Sequence, residues 1–282
     1  MKIKMLKRNL YYLLTPRLRL LIRRLYYLPF DIYVLFSGKR DELTPPRGLV
    51  FVGFGDFKKS GEILLDQIRK VINIQPQHYI LDVGCGIGRL AVPLTTVLNE
   101  EGRYEGFDIV KIGIKWCNKR IKPKFPNFNF IHIDLKNDLY NLNTTREAKN
   151  FIFPYKDNEF DLVILTSVFT HMMPEDINNY LKEIYRVLKQ GGKCYVTFFL
   201  LNDEIKPRIE NRNYFNFPFT YDNYRLLDNN VKEANIAYEE NFLVNTLINN
   251  NKLSVENIYY GWWSGRSKEN SLSYQDTIIL SK

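Results

Sequence analysis

The sequence predicts an α/β fold in which helices cover both faces of a mostly parallel β-sheet. From Gly61 onward, segments with the apolar pattern of strands alternate with segments that have helical periodicity. Most of the strand-like segments are runs of about five apolar residues, which is typical of strands buried on both faces. Strands and helices that alternate in this way form βα units, and such units build parallel sheets.

The individual elements follow in chain order from these patterns. The predicted helices cover residues 61–72, 89–98, 110–121, 174–188 and 238–250. The predicted strands cover residues 79–83, 104–108, 128–133, 160–166 and 193–200, with two more near 255–262 and 274–280. Pro174 favours a helix start because proline fits the first helical turn. Residues 201–236 are loop-rich, and we expect no regular element there.

The positive charge of the chain is concentrated at its N terminus. The 282 residues carry a formal net charge of +9, yet residues 1–40 contain ten basic residues and one acid. The remainder holds 30 basic and 30 acidic residues, which disfavours a nucleic-acid-binding body and indicates a local anionic partner instead. Three cysteines without CxxC spacing indicate neither disulfides nor a zinc site. We therefore expect a cytoplasmic protein without a bound metal.

Residues 1–46 predict a basic amphipathic arm, followed by one domain over residues 47–282. Pro16 divides the arm into helices at about 4–14 and about 17–28. Leucine and isoleucine share one side of the second helix, and arginines occupy the rest: Leu18, Leu21, Ile22, Leu25 and Leu28 against Arg17, Arg19, Arg23 and Arg24. Such a helix favours an anionic membrane surface, which residues 1–40 would contact at the inner face of the cell membrane. The alternative is that the leucines pack on the protein body.

Glycines and acids follow the first three strands of the predicted sheet. The first strand ends in the sequence DVGCGIG at residues 82–88, where alternate glycines allow a tight turn and close approach of a ligand. Asp108 ends the second strand, and its carboxylate can accept both hydroxyls of a ribose. Asp134 follows the third strand and can reach an adenine amino group. Ligands of open α/β sheets bind at these strand ends.

Two nucleotide-type cofactors fit this pattern. Residues 86–91 match the GxGxxA sequence of dinucleotide-binding proteins, which would make the chain a nicotinamide-dependent dehydrogenase. Asp82 lies two residues before the first glycine, where a carboxylate disfavours a pyrophosphate and favours a cation. S-adenosylmethionine carries an ammonium and a sulfonium group and no phosphate, so it is the favoured cofactor.

The ordered motifs resemble those of the class I S-adenosylmethionine-dependent methyltransferases, whose first motif is (D/E)xGxGxG. Further matches are GFDI at 106–109, DL at 134–135, FDLV at 160–163 and GG at 191–192. The resemblance runs from about Phe51 to the C terminus. It implies a Rossmann-like seven-stranded sheet whose last strand is antiparallel.

The resemblance also implies roles for individual residues around S-adenosylmethionine. Asp82 and Gly84 would lie near the methionine moiety, Gly86 and Gly88 would shape the loop, Asp108 would bind the ribose, Ile109, Asp134 and Leu135 would surround the adenine, and Thr166 would complete the site at the fourth strand.

The segment after the fourth strand bears on the acceptor. Its sequence, TSVFTHM at 166–172, lacks the Asn/Asp-Pro-Pro-Tyr/Phe motif of nucleic-acid amino methyltransferases. His171 lies at the methyl-bearing end of the cofactor in the resembled fold, and a neutral imidazole can accept a hydroxyl proton. The alternative is that His171 positions the loop or caps the next helix.

Two further segments have a functional and a structural interpretation. Residues 51–57 could form a lid over the cofactor or an ordinary helix-entry loop. The hairpin 259–276 combines aromatic with polar side chains that suit a sugar ring, namely Trp262, Trp263, Arg266 and Gln275. Packing of the hairpin itself is the alternative.

Together these features predict an S-adenosylmethionine-dependent O-methyltransferase that acts on a hydroxyl, with a small molecule or a glycan as acceptor. A sugar of a lipid-linked or cell-surface glycan is the acceptor that the basic arm and the hairpin favour. A lipid or quinone headgroup, or a soluble metabolite, is the alternative. A noncatalytic membrane-associated module is less favoured because the glycine loop and Asp108 are intact.

Overall fold

The computed structural model describes residues 14–38, 40–51, 55–210 and 215–282. The described residues divide into two compact units, of which one ends at Asp134 and the other begins at Leu135. The sequence-based boundary between residues 46 and 47 stays a prediction.

The first unit contains three parallel strands. They are β1 (Tyr79–Val83), β2 (Arg103–Asp108) and β3 (Phe128–His132), and β2 pairs with both of the others. Its helices are α1 (Pro16–Phe36), α2 (Phe57–Arg69), α3 (Ala91–Leu94) and α4 (Lys111–Arg120). Because parallel strands end at the same edge of a sheet, the residues after Val83, Asp108 and His132 share one edge.

The second unit continues with strands of both directions. The next elements are β4 (Phe160–Leu165), α5 (Pro174–Val187), β5 (Leu188–Phe198), β6 (Leu200–Leu201) and α6 (Ile205–Glu210). After these come β7 (Phe219–Thr220), β8 (Tyr224–Leu226), β9 (Ile236–Glu239), α7 (Glu240–Phe242), β10 (Ser254–Tyr259) and β11 (Asp276–Ser281). A π-helical segment at Leu243–Ile248 extends α7.

The main sheet has seven strands in the order β10-β11-β5-β4-β1-β2-β3. The pair β4 and β5 is parallel, whereas β11 runs antiparallel to both β5 and β10. Both β1 and β4 are almost fully buried, as expected of apolar strands covered on both faces. The predicted fold class, a Rossmann-like sheet with an antiparallel last strand, is confirmed.

Most predicted elements appear within a few residues of their expected bounds, but the helix expected at 89–98 is much shorter. It is reduced to the four residues of α3. Pro93 lies inside this segment and has no N–H to donate. The following residues continue in tighter turns, with Thr96 N–H bonded to the Pro93 carbonyl and Val97 N–H to the Leu94 carbonyl. The strand β5 is longer than predicted, because pairing begins at Leu188.

The segment expected to be loop-rich contains a second, small sheet. Its four strands lie in the order β6-β9-β8-β7 and are two to four residues long. Runs this short show no recognisable periodicity. Tyr238 was predicted to begin a helix, but it belongs to β9, where it pairs with Leu200 and Tyr224. The helix begins two residues later, at Glu240.

The second helix of the arm is present and extends beyond its expected end at residue 28. It runs from Pro16 to Phe36 and carries Pro29 within it. The predicted first arm helix lies outside the described residues, as do residues 52–54 of the segment considered as a lid.

Candidate functional site

The loop after β1 depends on three glycines in a backbone conformation that other residues rarely adopt. Gly84, Gly86 and Gly88 have φ values of 76°, 61° and 78°, in the left-handed region that favours glycine. A Cβ atom on Gly88 would also lie 2.8 Å from Cδ1 of Ile121. The alternating glycines therefore produce a tightly turned loop at the strand edge, with Gly84 half-buried and Gly86 and Gly88 buried.

Asp108, at the end of β2, holds this loop in place. Its Oδ2 accepts a 2.7 Å hydrogen bond from the Gly86 N–H, and its Oδ1 accepts one of 2.7 Å from the Val110 N–H. Burial raises the pKa of Asp108 to about 6, although the backbone N–H groups act in the opposite direction. Each carboxylate oxygen keeps a second lone pair that can accept a hydroxyl.

Asp82 places a second buried carboxyl in the same unit. It is 2% exposed, and the Tyr104 hydroxyl donates a 2.6 Å hydrogen bond to its Oδ2. Burial raises the pKa of Asp82 to about 7, and the charge of Asp108 adds to this increase, while Tyr104 and Arg89 oppose it. Neither carboxyl forms an ion pair with another described residue. Two buried acids without an ion pair favour a cationic ligand.

The remaining predicted residues of the first unit are Ile109 and Asp134. Ile109 directly follows Asp108 and is half-buried, with its carbonyl oxygen 3.3 Å from Nε2 of His132. Asp134 is exposed, two residues beyond the end of β3. The structure thus brings together Asp82, the glycines and Asp108, with Ile109 beside them.

The predicted residues Leu135 and Thr166 belong to the second unit. Leu135 is 3% exposed and lines a cavity of about 420 Å³ with Arg146, Glu147 and Phe151. Thr166 directly follows β4 and is half-buried.

The residue after Thr166 is held by a compact polar network. Ser167 has a φ of 58°, a strained conformation for a residue with a side chain. Its N–H donates to Oγ1 of Thr197 at 2.8 Å. The hydroxyls of Ser167 and Thr197 both donate to Oε1 of Gln275, each at 2.8 Å. Gln275, predicted to contact the acceptor, therefore positions the loop after β4.

His171 lies in a 3₁₀ turn at Phe169–His171 and is half-buried. Its Nδ1 is 2.9 Å from the backbone carbonyl oxygen of Glu233. Because a carbonyl can only accept, Nδ1 carries the proton and Nε2 is the basic nitrogen. Burial lowers the pKa of His171, against the opposing effect of the hydrogen bond to Glu233. The side chain of Asn137 donates to the His171 carbonyl at 3.1 Å, and the Tyr140 ring packs edge-on at 5.8 Å.

The aromatic hairpin divides into a core part and a surface part. Trp263 is 1% exposed and packs against Phe199 and Phe217, with ring centroids 5.1 and 5.7 Å away. This burial supports packing, not sugar stacking, as the role of Trp263. Trp262 is half-buried and lies edge-on to Tyr274, which is 42% exposed.

Arg266 is already engaged with protein groups. Its guanidinium lies 4.2 Å from the ring centre of Tyr260, and its Nη2 is 2.5 Å from Oε2 of Glu204. An acceptor could use the outer edge of Arg266 only in competition with Glu204.

Asp276 secures the base of the hairpin and carries a prediction for stability. Its buried carboxylate accepts hydrogen bonds from the N–H groups of Leu200 and Gly261, each at 2.7 Å, and from Nε1 of Trp263 at 2.6 Å. Asparagine would turn a donor toward at least one of these N–H groups. Asp276→Asn should therefore lower the free energy of unfolding by about 2–4 kcal/mol, measured by urea denaturation at constant m value. Asp161→Asn, which removes a partly exposed ion pair with Lys189, is the control and should cost under about 1 kcal/mol; equal losses would contradict the prediction.

Three important contacts were not visible in the sequence. Tyr104 supports Asp82 from the neighbouring strand, and Ser167 carries the strained turn. Glu233 lies 62 residues from His171 along the chain, so no local pattern connects them. In the register of β1 and β2, Tyr104 lies opposite Ile80, two residues before Asp82. Only this pairing of the strands brings Tyr104 close to Asp82.

The part of the chain that contains the glycine loop is similar to known proteins. Residues 81–196, which include the glycine loop, Asp108 and His171, match the family model described as a methyltransferase domain. These residues, less than half of the chain, are similar to a methyltransferase domain, in agreement with the motifs that resemble class I S-adenosylmethionine-dependent methyltransferases.

Two curated methyltransferases are similar to part of this chain. The phthiotriol/phenolphthiotriol dimycocerosates methyltransferase of Mycobacterium tuberculosis is 33% identical over 113 residues, which is 40% of this chain and 34% of that protein. A ubiquinone/menaquinone biosynthesis C-methyltransferase of Wigglesworthia glossinidia brevipalpis is 28% identical over 124 residues, which is 44% of each protein. The chain thus spans less than half the length of these relatives.

A solved structure shares the fold of this chain. A protein of Pyrococcus horikoshii aligns with 83% of this chain and 94% of its own, at 18% identity and a TM-score of 0.51. At this identity the likeness concerns the fold alone.

The first unit fits the cofactor of this family. S-adenosylmethionine has two cationic groups and a ribose, and Asp82 and Asp108 are two buried carboxyls with raised pKa values. A cation beside Asp82 would stabilise its ionised form. No side chain projects from Gly84, Gly86 or Gly88, so the backbone of the loop could approach a bound ligand closely.

Gly113 of α4 packs directly against the backbone of the glycine loop. A Cβ atom at Gly113 would lie 2.3 Å from the carbonyl oxygen of Gly86. Alanine normally stabilises a helix interior relative to glycine by about 1 kcal/mol, but here the loop must move. Gly113→Ala should lower the free energy of unfolding by about 1–3 kcal/mol and weaken S-adenosylhomocysteine binding. Lys115→Ala, at an exposed position of the same helix, should do neither; a fully stable Gly113→Ala variant would contradict the close approach.

Proposed function

We propose that this methyltransferase domain transfers a methyl group to a hydroxyl oxygen, with His171 as the general base. The supporting observation is the hydrogen bond from Nδ1 of His171 to the Glu233 carbonyl at 2.9 Å. In the neutral imidazole it places the proton on Nδ1, which leaves Nε2 able to accept a proton. The lowered pKa of His171 favours the same neutral form at physiological pH.

In this mechanism S-adenosylmethionine supplies, when bound, a methyl group on a positively charged sulfur. Asp82 would hold the cationic end and Asp108 the ribose, so that the cofactor has a defined orientation. Nε2 of His171 would take the proton that the acceptor hydroxyl loses. Most of the rate enhancement would come from holding the reacting groups in line.

For the acceptor, we propose a sugar hydroxyl of a lipid-linked or cell-surface glycan, reached at the inner face of the cell membrane. The supporting features are the half-buried Trp262 and the exposed Tyr274 beside it, since aromatic faces stack on sugar rings. Gln275 and Arg266 give less support because both already bind protein groups.

A lipid or quinone headgroup is the second candidate acceptor. It is favoured by the names of the two relatives, one a dimycocerosate methyltransferase and the other a quinone-pathway C-methyltransferase. Those names include carbon methylation, so they do not by themselves select an oxygen acceptor.

A labelling experiment tests both the reaction and the acceptor. The full chain is incubated with S-adenosylmethionine carrying a ¹³C-methyl group and with four acceptor fractions: lipid-linked oligosaccharides, quinols, total lipids and tRNA. We expect a methyl ether in the oligosaccharide fraction by NMR. A methyl ether on a lipid or quinol would support the second acceptor. Carbon or nitrogen methylation, or label in tRNA, would contradict the proposal.

A further inference from the structure

The helix α1 exposes a broad apolar face. Ten large apolar side chains on it are between 41% and 85% exposed. We call these residues the outer face of α1: Leu18, Leu21, Ile22, Leu25, Tyr26, Leu28, Ile32, Tyr33, Leu35 and Phe36. At about 100° per residue, they occupy one continuous half of the helix surface. Soluble monomers rarely expose a contiguous apolar patch of this extent.

The opposite side of α1 is fixed to the protein. Oδ1 and Oδ2 of Asp31 accept hydrogen bonds from the N–H groups of Arg47 and Gly48 at 2.8 and 2.9 Å. A Cβ atom at Gly48 would lie 3.0 Å from Cα of Arg24, so this turn packs directly on the helix backbone. Arg40 also donates to the Asp31 carbonyl at 2.7 Å. These contacts turn the outer face away from the chain that holds α1.

The charges of α1 are arranged along the edges of the outer face. On the helical projection, Arg17 and Arg24 lie at one edge, and Arg19 and Arg23 lie at the other. Arg17 and Arg24 are exposed. Asp31 is the only acid between residues 16 and 36, and its carboxylate faces the protein. Arg19 is buried and Arg23 is half-buried. The exposed half of the helix is therefore apolar in the middle, positive along the edge of Arg17 and Arg24, and without negative charge.

We propose that α1 binds in the plane of an anionic lipid bilayer. The outer face would enter the boundary between headgroups and acyl chains, while the exposed Arg17 and Arg24 reach the lipid phosphates. The helix has 21 residues, which gives a contact about 30 Å long. Within the described ranges, no helix has the length and hydrophobicity needed to cross a bilayer.

A bilayer matches the outer face better than a second copy of the chain. Helix pairing uses a narrow apolar seam, whereas the outer face covers half of the helix. Two copies would also bring the same exposed arginines, Arg17 and Arg24, close together. This inference does not depend on the proposed acceptor, since it rests on α1 alone.

The experiment is flotation of the full chain with vesicles, with S-adenosylhomocysteine binding as the check on folding. We expect the protein to float with phosphatidylcholine vesicles that contain about one-third phosphatidylglycerol, and much less with phosphatidylcholine alone. Leu25→Glu with Ile32→Glu should reduce the bound fraction at least about tenfold. The control Ile63→Glu with Leu142→Glu changes two residues of similar exposure, 48% and 50%, and should float like the wild type.

A second variant keeps the apolar face and removes charge. Arg17→Gln with Arg24→Gln should reduce binding to the anionic vesicles and abolish most of the difference between the two lipid compositions. The proposal is overturned if the wild type stays unbound, or if Leu25→Glu with Ile32→Glu floats normally. It is equally overturned if the wild type is a dimer that these outer-face substitutions dissociate and that does not float.

Discussion

Replacing Asp108 by alanine should weaken binding of S-adenosylhomocysteine at least about 100-fold, because two contributions are lost together. The carboxylate is the proposed acceptor for the ribose hydroxyls, and hydrogen bonds to a charged group are the stronger kind. It also accepts the Gly86 N–H at 2.7 Å, so the glycine loop would lose its support. The wild type should bind this ligand with micromolar affinity and should not bind NADH.

Calorimetry on the full chain measures this effect. Asp66→Ala, which removes an exposed carboxylate from α2, is the matched control and should bind like the wild type. Asp108→Asn keeps the size of the side chain and one acceptor oxygen, and it should bind with intermediate affinity. Thermal unfolding shows whether each variant is folded. Near-normal binding by a folded Asp108→Ala variant, or tight binding of NADH by the wild type, would contradict the cofactor assignment.

The cofactor side of the site was predictable because its signals are local. Asp82 and the glycines lie within seven consecutive residues, and Asp108 ends the next strand. The chemistry of each residue could be inferred without knowing any distant contact. What the sequence did not give was the partner of Asp82, because the Tyr104 hydroxyl approaches it across the sheet.

The acceptor side was less predictable because it depends on contacts that are distant in sequence. An aromatic residue in a hairpin has the same pattern whether it packs inside or faces a ligand, and only the structure shows that Trp263 is buried against Phe199 and Phe217. The end of α1 shows the same limit. Pro29 favours a helix end near residue 28, but the helix continues to Phe36. The Asp31 carboxylate, which lies beyond Pro29, accepts hydrogen bonds from the N–H groups of Arg47 and Gly48, which are distant in sequence.

Replacing His171 by alanine should leave S-adenosylhomocysteine binding within about threefold of the wild type while reducing turnover about 10²–10⁴-fold. The residue lies in the second unit, in the turn at Phe169–His171, whereas the carboxyls proposed to bind the cofactor lie in the first. A base removes a proton only in the chemical step, so its loss should lower kcat and not cofactor affinity. The measurement compares calorimetry with initial rates of methyl transfer to the acceptor found by labelling.

The pH profile separates a base from a residue that merely supports the loop. Burial lowers the pKa of His171 from its usual value, so the wild-type rate should be constant near neutral pH and fall as the imidazole becomes protonated in acid. At saturating S-adenosylmethionine, where protonation of Asp82 and Asp108 does not limit cofactor binding, His171→Ala should lose this acidic limb. Glu233→Gln is the matched control, because the imidazole bonds to the backbone carbonyl of residue 233, which the substitution retains. Burial raises the pKa of the Glu233 carboxyl to about 8, and Glu233→Gln removes this titrating group. The variant should still show the acidic limb. An acidic limb that persists in His171→Ala, or equal loss of binding and turnover, would assign His171 a structural role.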